Sequence, residues 1–158
     1  MAKAPIERMR RGDYRIRLGE KERDLLRGLP SLVRALLSDD DRDDPALRRL
    51  FPSAFMDDAA LTEEFDRMVR DDLLRQRLAA LATMEDTIDE ERLTQAQMEA
   101  WLAAINDVRL ILGVRLAVSE ESTSEDFAED EGKMGAFAVY LFLGFLEEHI
   151  VTALVEAV

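Results

Sequence analysis

Hydrophobic residues recur at three- and four-residue spacings through most of the chain, the period of helices with one buried face. The first such stretch begins at Glu20, where Leu25, Leu26, Leu29, Leu32, Val33, Leu36 and Leu37 keep the period around Gly28 and Pro30. Proline removes an intrahelical hydrogen bond and crowds the preceding turn, so a kink or a meeting of two helices is expected near 28–31. A short helix is predicted from Pro45 to Leu50, with Asp43 or Asp44 placed to cap its N–H groups. Phe51, Pro52, Phe55 and Met56 then form an apolar connector over the bundle. The longest helix runs from about Ala59 to Ile88, with a stripe from Leu61 and Phe65 to Met84 and Ile88. On its other side Glu63/Arg67, Asp66/Arg70 and Asp71/Arg75 are acid-first pairs four apart, the mark of a solvated face.

Thr94 followed by Gln97 is a capping box. The helix it opens, Gln95 to about Leu112, turns Met98, Trp101, Leu102, Ile105, Val108 and Leu112 inward and should pack antiparallel to its predecessor across the short turn 89–92. Gly113 is the expected helix end. Two segments alternate instead with the period of strands, Asp13 to Leu18 and Val114 to Val118, and they allow a two-stranded patch against the helical core. Residues 119–132 read as a mobile acidic loop with Phe127 as its anchor. The chain closes on a helix with no charged side chain from Met134 to Leu146. A helix apolar all round must be covered on every side. Two covers are open: the middle of the bundle, or a second copy or another protein.

These elements define a mainly α fold: a single-domain helical bundle of five or six helices, with a short N-terminal strand and residues 1–12 as a flexible basic arm. A chain of 158 residues suits one domain that buries about two-thirds of its unfolded surface. There is no cysteine, which excludes disulfides, thiolate metal sites and thiol redox chemistry within this sequence. The N-terminal residues show no apolar signal region and no run of 18 apolar residues occurs, so a cytoplasmic protein without a membrane span is expected. Net charge is −13, unevenly placed: residues 1–28 carry nine Lys/Arg against five acids, a net +4, leaving −17 elsewhere. Such a body disfavours autonomous nucleic-acid binding, which could enter only through residues 1–28. It suits basic protein surfaces.

Candidate chemistry is sparse. The sole histidine, His149 in Glu147-Glu148-His149, cannot supply the two Glu-x-x-His pairs of a diiron bundle. One histidine, serines confined to loops and the lack of a phosphate-binding loop point to no enzyme, no cofactor and no metal. The most informative polar cluster is Asn106-Asp107-Val108-Arg109, set among Leu102, Ile105 and Leu110. Asp107 and Arg109 are two apart on a helix and cannot face each other, so each pairs elsewhere. The cluster is either a polar network fixing helix register or the rim of a partner groove anchored by Trp101. Tyr140 and Phe145 on the closing helix are further partner-contact candidates.

WLAAINDVRLILGVRL (residues 101–116), with GDYRIRLGEKERDLLRGLPSLVRALL, DPALRRLFPSAF and YLFLGFLEEHIVTALVEA, resembles an actinobacterial family long called a domain of unknown function and named after an oxidative-stress transcriptional regulator. The resemblance spans nearly the whole chain and is most specific over residues 101–116. It implies a cytoplasmic regulator, encoded commonly beside the Clp-protease adaptor, that acts with an extracytoplasmic-function sigma factor of RNA polymerase through a redox-responsive cysteine pair. This sequence departs from that pattern, having no cysteine. The expectation is therefore a non-enzymatic protein–protein interaction module in transcriptional control without a thiol switch. The alternatives are a partner of the Clp adaptor and protease, or a DNA-binding regulator using the basic N-terminus.

Overall fold

The computed structural model describes residues 3–38, 44–51, 59–119 and 121–156, without the side chains of 59–62 and 66. Of the expectations above, Asp43, Pro52, Phe55, Met56, Leu61 and the Asp66 pairing lie outside what it describes. The order is β1 (Ile6–Arg8), β2 (Tyr14–Ile16), α1 (Glu20–Ser38), α2 (Pro45–Leu50), α3 (Ala59–Asp86), β3 (Arg92–Leu93), α4 (Gln95–Leu116), a 3-10 turn (Ser124–Phe127) and α5 (Glu131–Val155). The fold is mainly α, as the periodicity requires.

The strand read at Asp13 to Leu18 exists as β2, but its partners differ from the expected one. β2 is the middle of an antiparallel sheet, pairing Glu7 with Arg15 on one side and Tyr14 with Leu93 on the other. Residues 6–8, within the stretch expected as an arm, thus form an edge strand. The turn between β1 and β2 closes through the Met9 N–H donating to Asp13 O at 2.7 Å, with Gly12 at φ 92°. Ile6, Tyr14, Ile16 and Leu93 turn one face of this small sheet onto the helices and are buried. Arg23 of α1 fixes that seating: its guanidinium donates to the carbonyls of Ile88 (2.5 Å), Glu90 (3.1 Å) and Ile16 (3.3 Å). With Leu18 O, reached by its Nε at 3.3 Å, one arginine thereby satisfies four carbonyls at the junction of helix, sheet and turn.

Val114 to Leu116, expected to be extended, is instead the last turn of α4. The helix passes through Gly113 and ends at Ala117, which takes the left-handed conformation at φ 52°. The Val118 N–H donates to Gly113 O at 2.9 Å and the Ala117 N–H to Val114 O at 3.2 Å, the paired closure of a Schellman motif. Gly113 lies inside the helix rather than at its end, and a Cβ there would rest in ordinary contact with the Tyr140 ring at 3.4 Å. Likewise α1 is one helix through Pro30. Pro30 is buried with Leu26, Leu29, Val33 and Leu36 on either side of it, and the Ser31 hydroxyl donates to Gly28 O at 3.1 Å. Burial on both flanks outweighs the lost hydrogen bond.

The capping box at the start of α4 is present in both directions, Gln97 N–H to Thr94 Oγ1 at 3.2 Å and Thr94 N–H to Gln97 Oε1 at 2.9 Å. Asp44 is the α2 cap, accepting from the Ala46 N–H at 2.9 Å and from Arg115 at 2.8 Å. Those two bonds, Arg115 first, hold its carboxyl below the usual range. Phe127 is buried against Phe137, ring centroids 4.7 Å apart, so the acidic segment is anchored where expected.

The centre of the fold is α4. It packs against α1, α2, α3 and α5, and its Met98, Trp101, Ala104 and Ile105 are fully buried. α5, the most apolar helix, is peripheral: it packs on α4, β1 and the 3-10 turn. By length and composition it could cross a membrane, yet one side holds Leu143, Leu146 and Ile150 wholly inside the core. Only 22% of its most apolar stretch is buried, so the bundle does not enclose it.

Candidate protein-interaction site

The polar cluster on α4 divides between two helices. Asp107 points to α3, 1% exposed, and pairs with Arg77. Arg77 also donates to Leu50 O at 2.8 Å and lies 5.6 Å from the Phe51 ring, so one guanidinium joins α2, α3 and α4. Burial pushes the Asp107 carboxyl above the usual range, and the Arg77 charge and hydrogen bond oppose the shift without cancelling it. Asp107 therefore belongs to a register-fixing network.

Arg109 points the other way, to α5. It donates to Glu147 Oε2 at 3.1 Å and its guanidinium carbon sits 5.1 Å from the Tyr140 ring centroid. Gly144 makes room for it: a Cβ there would stand 3.3 Å from Arg109 Nε. Arg109 keeps 39% of its side chain exposed at the edge of an open groove of about 390 Å³. Arg49, Asn106, Arg109, Gly113, Val114 and Tyr140 line this groove, from α2, α4 and α5. Its walls offer guanidinium and amide donors beside an aromatic face, a combination that receives an acidic or aromatic side chain.

Three of the six predicted contact residues, Asn106, Arg109 and Tyr140, thus meet at one site. Trp101 does not join them. It is 0% exposed, and its Nε1–H donates at 2.8 Å to Thr87 Oγ1, itself bonded to Thr83 O at 2.6 Å. The expected groove anchor is a core residue, because an indole with its N–H satisfied internally is best buried in full. Asp107 is likewise inside. Phe145 is 49% exposed on the far side of α5, its ring 4.5 Å from that of His149. Arg49, Gly113 and Val114 are not legible in the sequence as groove residues, because only the α2–α4 packing brings Arg49 near and because the expected helix end at Gly113 places Val114 in an extended segment.

Among the described residues, no cluster of three or more His, Asp or Glu side chains could hold a metal ion. A second hollow of about 610 Å³ beside the sheet is lined by Arg15, Arg17, Arg23, Glu20, Asp89 and Glu91, where both charges mix. Arg8, Arg10 and Arg11 are exposed on the β1–β2 hairpin.

The family model described as a domain of unknown function (DUF2017) matches residues 3–154. A putative oxidative stress regulator AosR of Mycobacterium leprae is 32% identical over 71% of this chain and 59% of its own length. The oxidative stress regulator AosR of Mycobacterium tuberculosis H37Rv is 30% identical over 70% of this chain and 58% of its own, and that of Mycobacterium bovis matches equally. The chain thus spans under three-fifths of the length of these relatives. No solved structure matches it.

Proposed function

From the premise that this chain belongs to the DUF2017 family, we propose that it is a cytoplasmic, non-enzymatic regulator in the oxidative-stress response, acting by protein–protein contact in transcriptional control. The relatives named oxidative stress regulator support the regulatory part. The target in this reading is a sigma factor or RNA polymerase. The observation that carries it is the groove at Asn106, Arg109 and Tyr140, where three helices present donors and an aromatic face on a chain of net charge −13. These 158 residues hold no cysteine, so the reading includes no thiol switch within them.

Titration of the purified chain against RNA polymerase, with and without its stress-responsive sigma subunits, tests this. Binding is expected, and Tyr140→Ala and Arg109→Ala should each weaken it about tenfold, the loss of a central interface anchor. If neither polymerase nor any sigma subunit binds, the transcriptional reading is refuted.

A further inference from the structure

α5 meets the rest of the fold along one side. Phe137, Leu143, Leu146, Ile150 and Ala153 face inward. Met134, Leu141, Phe145, Val151 and Val155 stay 37%, 51%, 49%, 42% and 65% exposed. The exposed positions Met134, Ala138, Leu141, Phe145, Glu148, Thr152 and Val155 step alternately by four and three residues. That is the repeat by which one helix seats along another. From Met134 to Val155, at about 1.5 Å per residue, α5 offers a ridge roughly 32 Å long. The exposed apolar run Met134, Ala138, Leu141 and Phe145 on this ridge marks a contact surface.

We propose that a second copy of this chain covers the ridge, α5 lying antiparallel against α5 across a twofold axis. From Met134 to Leu146 the helix bears no charge, so this part of the ridge suits another apolar helix face, and the four-and-three repeat of α5 supplies one in Leu141, Phe145 and Val155 of a second copy. A twofold axis brings the same patch of both copies together. The chain sense follows from Glu148, the one charge on the stripe. In a parallel pair the two Glu148 carboxylates would meet directly. In an antiparallel pair centred near position 143, Leu141 of each copy meets Phe145 of the other, and Glu148 falls opposite Ala138, whose small side chain leaves the carboxylate open to water. Antiparallel helix dipoles also attract. The charge of −13 on each copy opposes association and is screened by salt, so this dimer tightens as salt rises, whereas a basic partner on the same ridge would be released. The ridge is separate from the groove at Arg109, so the two proposals stand or fall apart.

Light scattering of the full chain in about 0.05 M and about 0.5 M salt measures the mass. The expected result is a dimer, more complete at high salt, whose mass halves in Leu141→Glu while far-ultraviolet circular dichroism is unchanged. The absence of native cysteine permits a cleaner geometric check. Mixing Leu141→Cys with Phe145→Cys under mild oxidation should give a mixed disulfide dimer in excess of either self-linked product. A chain that stays monomeric at both salt concentrations overturns the proposal, including one that instead sediments with phosphatidylcholine vesicles. Efficient self-linking of Glu148→Cys would overturn the antiparallel arrangement.

Discussion

Replacing Trp101 by Phe separates a core residue from a contact residue. The indole is fully buried in α4 and its Nε1–H donates to Thr87 Oγ1 at 2.8 Å. Phe keeps an aromatic ring but loses that bond, worth about 1 kcal/mol. The smaller ring leaves a void on the order of 40 Å³, which at about 24 cal/mol per Å³ adds about 1 kcal/mol. Lost transfer free energy of the missing ring atoms brings the expected destabilisation to about 2–3 kcal/mol. Thr87 limits the cost, because its hydroxyl still donates to Thr83 O at 2.6 Å. Urea denaturation followed by circular dichroism measures the change, and the midpoint should fall with the slope unchanged. In a double-mutant cycle with Thr87→Val, the coupling should come to about 1 kcal/mol. A loss below about 0.5 kcal/mol in the single variant would mean that Trp101 is not held as described.

Ala117→Gly should stabilise the chain by about 1 kcal/mol, since Ala117 adopts φ 52° at the end of α4 and glycine takes that conformation without the Cβ clash; an unchanged thermal midpoint would contradict the cap geometry. Asp107 gives a pH dependence of unusual sign. Its folded carboxyl sits above the ordinary 3.8 because of burial, so the folded state binds its proton more readily than the unfolded state does. Its contribution to stability is therefore largest below the unfolded value and falls as pH rises through the folded one. The stability of the parent chain minus that of Asp107→Asn should shrink as pH rises from the unfolded value of about 4, and a difference that grows with pH there would refute the assignment.

Much of this molecule is legible along the chain. Helix positions, the capping box at Thr94 and Gln97 and the Asp44 cap all depend on neighbours within a few residues, and local sequence contains those neighbours; the Phe127 anchor showed as a lone hydrophobe in an acidic stretch. The pairing of Asp107 and Arg109 with different elements also followed from their spacing of two. Partners distant in sequence did not. β2 alternates plainly, but its choice of Ile6–Arg8 and Arg92–Leu93 over Val114 to Val118 depends on where α4 ends. That end is closed at Ala117, in a left-handed conformation with the Val118 N–H on Gly113 O and the Ala117 N–H on Val114 O, which glycine propensity does not point to. The apolar character of α5 showed that the helix needed cover on every side. Tertiary structure assigned the central place to α4 and left α5 at the edge with one face bare, because burial belongs to position among other elements and hydrophobicity only to the residue.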